Sequence, residues 1–184
     1  MLVPAYLHTT VEDINKLINR NPSMFISYSP YKKYNVINEI QNDEWNMFQY
    51  VSINSDGKIM GYYSAIRDQM ANMISGCLFI HFKKEAYYEQ ETASKDLREF
   101  INMLATLPMI NMIYFNSVVD NKANATTYKE FIDKYNGCRY IMKKYARLTD
   151  GKIYDCYQYQ LDVEGYEEDL GGHYIKIWKI WSWH

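Results

Sequence analysis

The sequence predicts an α/β (α+β) domain with a mixed, mostly antiparallel central sheet and helices on both of its faces. Two observations carry that prediction. Asn54-Ser-Asp-Gly57 and Thr149-Asp-Gly-Lys152 each lie between two strand-like runs, and Asp-Gly supplies the positive φ angles of a tight hairpin. Between these hairpins, Met73–Val119 reads as strand, polar loop, helix and strand, a single crossover that makes the sheet mixed.

In chain order, Met1–Leu7 with Pro4 reads as an edge strand. Thr9-Thr-Val-Glu12 reads as a capping box, and Val11, Ile14, Leu17 and Ile18 form a helical stripe that ends at Asn21-Pro22. Met24–Ser29 is ambiguous between strand and loop, and Tyr31–Gln41 reads as a second, weaker helix. Trp45–Asn54 and Lys58–Arg67 form the first hairpin, and Asp68–Asn72 links it to the central strand Met73–Lys83. Lys84–Ala93 is too polar for a core. Ser94 is placed to cap Lys95–Leu107, whose Leu97, Phe100, Ile101, Leu104 and Leu107 recur at helical spacing. Pro108 breaks the pattern before a returning strand, Met109–Val119. Asn121–Tyr135 is a helix with Tyr128, Phe131, Ile132 and Tyr135 on one face; Asn121 caps it and Gly137 ends it. Arg139–Leu148 and Ile153–Leu161 form the second hairpin. The domain is therefore read as 1–162, followed by an acidic, glycine-containing linker over 163–172 and a Trp/Ile-rich C-terminal tail over 173–184.

Composition narrows the class. A chain of 184 residues with 48% hydrophobic and 23% charged residues can bury a substantial core. A net charge of −2 offers no basic face for nucleic acid. Cys77, Cys138 and Cys156 are odd in number and far apart, without a C-x-x-C, which disfavours a disulfide framework and a metal site of that type; they read as buried thiols on strands. No basic region precedes an apolar run at the start and no run reaches the ~20 residues of a membrane span, so a cytoplasmic protein is expected. The 19 tyrosines and 10 methionines, against 8 glycines and 4 prolines, suggest an AT-rich genome, that of a low-GC bacterium or its phage.

The ligand is expected at Met73–Leu107. A strand running through a loop into a helix leaves backbone N–H groups converging on one place, where the helix dipole favours an anion. His81 and Glu85 near the strand end are candidate bases, against a sheet-face histidine and a solvated carboxylate.

This order of elements resembles the GNAT superfamily of N-acetyltransferases over roughly residues 1–162. The best local match is Asn121-Lys-Ala-Asn-Ala-Thr-Thr-Tyr128, similar to the family's N-x-x-A-x-x-x-Y, with Asn124 in place of the alanine. The resemblance implies acetyl-CoA as acyl donor, an amine on a small molecule or protein as acceptor, and direct attack. The donor's pantetheine arm would lie along Leu78, Phe79, Ile80 and Phe82, and Tyr128 would protonate the departing thiolate. Asn121 and the loop equivalent Thr92, Ala93, Ser94 and Lys95 would complete the cofactor site, with Lys83 or Lys84 also able to pair with phosphate. The family's R/Q-x-x-G-x-G/A loop corresponds here to Glu89, Thr92 and Ser94 or to Gln90, Ala93 and Lys95, and neither register contains a glycine. The competing expectation is therefore a non-catalytic, GNAT-like phage or mobile-element protein with a degenerate coenzyme A site. It would act on a host or virion protein through tyrosine-rich surfaces and the tail. That tail, with three tryptophans and three isoleucines after His173, reads as folding back on the domain, as a homodimer contact or as a membrane contact.

Overall fold

The computed structural model describes residues 1–20, 36–43, 45–82, 90–121, 125–148 and 151–164. The tail and most of the linker lie outside them, as do Met24–Ser29, Lys83, Lys84, Glu85 and Asn124. Seven strands form one sheet in the order β1-β2-β3-β4-β5-β7-β6. They are β1 (Leu2–Pro4), β2 (Met47–Ile53), β3 (Ile59–Asp68), β4 (Met73–His81), β5 (Met112–Val118), β6 (Cys138–Arg147) and β7 (Ile153–Asp162). Every pairing is antiparallel except β4 with β5. At the first hairpin Gly57 takes φ 76°, while the Asn54 carboxamide oxygen accepts from the N–H groups of Asp56 and Lys58 at 3.0 and 2.9 Å.

Helix α1 (Val11–Arg20) covers one sheet face, where Ile14 and Ile18 meet Val51, Tyr62, Ile80 and Phe82. Helices α2 (Gln90–Ala105) and α3 (Ala125–Lys134) cover the other. There Leu97, Phe100, Ile101, Leu104 and Phe131 pack on Tyr63, Ile74, Ile113, Phe115 and Tyr159. Neighbours such as Tyr62 and Tyr63 fall in different cores because successive side chains of a strand point to opposite faces.

Four local readings are corrected. The cap of α1 is Thr10, whose hydroxyl accepts from the Asp13 N–H at 3.2 Å, so the working pair is Thr10/Asp13 and not Thr9/Glu12. Val36–Gln41, the described end of the expected second helix, is not helical. Two side-chain amides hold its backbone instead. Buried Asn15 donates to Ile37 O at 2.7 Å and accepts from the N–H of Val36 and Ile37 at 3.0 and 3.2 Å. Gln49 donates to Glu39 O at 2.7 Å and accepts from Gln41 N–H at 2.8 Å. Asn121 stands four residues before the first residue of α3 and so does not cap it; its N–H turns back to Val118 O at 2.9 Å. Helix α2 begins at Gln90, so Ser94 is inside it and not its cap. Gln90, Glu91 and Ala93 are all adequate helix formers, and nothing in the sequence obliges a start at Ser94. Of the three cysteines, all on strands, Cys156 is buried, Cys77 is half-buried as a residue but packs against the core so that its thiol is desolvated, and Cys138 is half-buried.

The end of α3 shows why a glycine is needed there. Asn136 adopts the left-handed conformation, φ 45°, and the Gly137 N–H donates to Ile132 O at 2.8 Å, as in a Schellman closure. A Cβ on Gly137 would lie 2.6 Å from Gln160 O and 3.3 Å from Ile132 Cα, both backbone atoms that cannot move aside cheaply. Gly137→Ala is expected to cost about 1–3 kcal/mol, read as a lower midpoint in urea unfolding with an unchanged slope.

Candidate active site

The candidate site is a gap in the middle of the sheet. Strands β4 and β5 pair only at Met73↔Met112 and Ile74↔Ile113, whereas β5 stays paired with β7 from Met112 to Val118. Just beyond the last shared pair, β4 bulges against β3: Gly76 takes φ 59°, and a Cβ there would lie 3.0 Å from Ile66 Cδ1. Past the bulge β4 and β5 have no further paired residues among those described.

Which backbone groups face the gap follows from alternation. The Phe82 N–H donates to Met60 O at 2.9 Å, across to β3. In an antiparallel ladder alternate residues turn to the same neighbour, so Leu78 and Ile80 also face β3, and Phe79 and His81 present their N–H and C=O groups to the gap. Of the strand residues expected to line a cofactor, Phe79 turns its backbone groups to the gap, and Leu78, Ile80 and Phe82 turn theirs to β3. The last two pack under α1 instead. On the opposite wall the Val119 N–H donates to Asp155 O at 3.0 Å, so by the same alternation Tyr114 and Asn116 face the gap from β5.

Rings close the helical side of this gap. Phe79 meets Phe115 edge-on across it, centroids 5.8 Å apart, and Phe115 stacks on Tyr159 at 5.0 Å. Tyr128, 3% exposed, stands edge-on to both Phe115 and Tyr159 at 5.0 Å. The structure thus brings Tyr128 from α3 and Phe79 from β4 onto one aromatic cluster. His81 joins its border: Nε2 lies 3.0 Å from the hydroxyl of Tyr63, which is itself against Phe79 and Phe100. The second turn of α2 and the first turn of α3 also converge, with Ser94 Oγ 3.4 Å from Thr127 Oγ1. Behind them the buried carboxylate of Asp96 accepts from the Ser52 hydroxyl and ties α2 to β2.

The expected loop residues fare differently. Thr92 and Lys95 are exposed and Ser94 is half-buried. Ser94 and Lys95 are the fifth and sixth residues of α2 as described, inside the helix and not at its first residue. Asn121 is half-buried in the turn after β5. Phe115, Thr127 and Tyr159 were not anticipated, and Tyr63 only as one of several tyrosines able to line an acceptor groove or a protein interface. The signal for Tyr63 was present in Gly61-Tyr-Tyr63, a glycine beside aromatic residues in an otherwise bulky strand.

The Cys77 thiol, on β4 within this region, is pushed up to about 12 by burial, so it is a neutral thiol at physiological pH and a poor nucleophile. Among the described residues no three His, Cys, Asp or Glu side chains are grouped to hold a metal ion, and no helix is long and apolar enough to cross a membrane.

No protein-family model and no curated protein matches the sequence. Solved structures do match the fold. The ribosomal-protein alpha-N-acetyltransferase RimL, in complex with coenzyme A, aligns with a TM-score of 0.67 at 15% identity over 90% of this chain and 94% of that one. A mutant of the spermidine N-acetyltransferase SpeG from Vibrio cholerae aligns at 0.62 and 15% identity, over 84% and 90%. A GNAT-family acetyltransferase from Streptococcus pneumoniae aligns at 0.62 and 15%, over 87% and 97%.

Proposed function

We propose that this chain, which adopts the GNAT fold, is an N-acetyltransferase that moves an acetyl group from acetyl-CoA to an amine by direct attack. The observation that carries the reading is the β4–β5 gap, with the Phe79 and His81 amides turned into it and Tyr128 in the ring cluster beside it. A pantetheine arm is an extended chain with two amides of its own, and an unpaired strand edge of about its length offers matching donors and acceptors. The folds aligned above include enzymes described as coenzyme A-bound or as acting on a ribosomal protein or spermidine, which supports an amine acceptor.

In this mechanism the gap-facing amides of Phe79 and His81 donate to the thioester oxygen as charge builds there. The amine nitrogen attacks the thioester carbon. A base, His81 or Glu85, takes the ammonium proton directly or through water, and the C–S bond breaks as the Tyr128 hydroxyl gives its proton to the leaving thiolate. An acyl-cysteine route through Cys77 is disfavoured, since burial keeps its thiol protonated. The diphosphate is assigned to the amides of residues 90–93, with side-chain help from Thr92, Ser94 or Lys95. The protein is assigned to the cytoplasm, where acetyl-CoA is made, and residues 173–184 to contact with a protein partner or a second copy.

A second reading, a non-catalytic GNAT-like binding protein, is favoured by one observation: no glycine occurs from Lys83 to Lys95. Calorimetric titration with acetyl-CoA and coenzyme A separates the two. Micromolar binding is expected, with a stabilisation of about 2.7 kcal/mol at a hundredfold excess over Kd. An absence of heat and of any melting shift at millimolar ligand overturns the enzyme and leaves the binding protein.

A further inference from the structure

We propose that the outer edge of β6 is a docking site for an extended, carboxylate-bearing segment of a partner polypeptide, which adds there as a further strand. Strand β6 ends the sheet, and β7 is its one neighbour among the described residues. The alternation along β7 decides which backbone groups of β6 are spent. The Val119 N–H donates to Asp155 O at 3.0 Å and the Val163 N–H to Asn111 O at 2.9 Å, so odd-numbered residues of β7 turn to β5. Even-numbered ones turn the other way, as the Asp162 N–H does in donating to Tyr135 O at 3.1 Å. Gln160, Gln158 and Cys156 pair with Cys138, Tyr140 and Met142, which therefore spend their N–H and C=O groups on β7. Arg139 and Ile141 turn theirs outward.

The side chains along this edge select what adds to it. Cys138–Arg147 carries Arg139, Lys143, Lys144 and Arg147 and no carboxylate, in a chain whose net charge is −2. None of the four cations forms an ion pair among the described residues. Arg139 lies over the Tyr157 ring at 4.2 Å, which leaves its fork of N–H groups for a carboxylate. Tyr140, Ile141 and Tyr145, each more than half exposed, stand between the charges. Sheet edges are commonly guarded by lysines and a bulge, and the half beyond Met142 has both. There the register shifts, and Lys144 takes φ 51° with its N–H donated to Asp155 Oδ1 at 2.8 Å. Cys138–Met142 instead pairs regularly and shows apolar side chains to solvent, so this half is open to another strand. A second copy would set the same cations against these, whereas a strand bearing carboxylates would neutralise them. Backbone bonds supply the pairing and charge chooses the partner.

Amide spectra of the full chain labelled with nitrogen-15 test this, titrated with a short capped peptide that alternates glutamate and valine. The largest shifts are expected at Arg139 and Ile141, and a lysine–valine counterpart is expected to leave them in place. Ile141→Pro removes an outward N–H and no bond to β7, so it is expected to melt near the parent and to lose the peptide. Tyr140→Pro removes a ladder bond instead and is expected to melt well below it. Arg139→Glu combined with Lys143→Glu leaves the backbone intact and is expected to weaken binding about tenfold. An absence of shifts at millimolar peptide overturns the site, as do equal shifts with the lysine peptide or binding that survives Ile141→Pro. Equal melting of the two proline variants overturns the outward facing of Ile141. Slow hydrogen exchange of the Ile141 amide in the free protein also overturns the proposal. In a monomer it would assign the edge to the chain's own acidic segment 163–172, and in a dimer to a second copy.

Discussion

Tyr128→Phe is expected to lower kcat for acetyl transfer about 10²-fold or more, with acetyl-CoA affinity and melting temperature almost unchanged. The substitution removes one oxygen and keeps the ring that Phe115 and Tyr159 hold edge-on at 5.0 Å, so the cluster and the gap wall should survive. What it removes is the proton for a thiolate that must otherwise leave as the anion. An effect confined to kcat marks an interaction made in the transition state and not on binding. The check is steady-state release of free thiol, alongside the thermal melt. An unchanged kcat would take the acid role from Tyr128 and leave it as a core residue.

Phe100→Ala is expected to destabilise the domain by about 3–5 kcal/mol, a large share of the ~5–15 kcal/mol by which domains are stable. Phe100 is fully buried on α2 and meets three rings, Tyr50, Tyr63 and Phe79, at 5.9, 5.7 and 6.0 Å. Those rings are rigid and anchored on three strands, so the cavity cannot collapse, and the loss belongs at the upper end for its type. At roughly 2–4 °C per kcal/mol, the melting temperature should drop on the order of 10 °C. Acetyl-CoA affinity should fall with it, because Phe79 and Tyr63 lose the surface that orients them beside the gap. A stable variant with unchanged affinity would show that the gap wall is held by β3 and β5 alone.

Much of the architecture was legible residue by residue. The hairpin at Asn54–Gly57, the meander into Met73, the stripe of Leu97, Phe100, Ile101 and Leu104, and the face of Tyr128, Phe131 and Tyr135 all occupy the places that their periodicity predicts. Each rests on a preference that neighbouring residues settle among themselves: a turn that needs positive φ, or apolar side chains recurring every two or 3.6 residues. Termini were less legible. The caps at Thr9, Ser94 and Asn121 each missed, because the sequence around them holds several residues able to cap and the start is chosen by how the helix seats on the sheet.

The candidate site divides in the same way. The sequence led to the expectation of a ligand between the central strand and the helix after it and to His81 as a candidate base, and the family resemblance added Tyr128. It did not reveal that Phe82 spends its N–H on β3, which leaves the gap to Phe79 and His81, nor that Tyr63 reaches His81 over Gly61. Nor did it distinguish Val36–Gln41 from a helix, since the partners of that backbone are Asn15 and Gln49, remote in the chain. The sequence determined the elements and their order because local sterics and periodicity act within a few residues. Only the tertiary structure decided which backbone groups remain unpaired and which side chains meet across strands, because those depend on register, and register is set by the whole sheet at once.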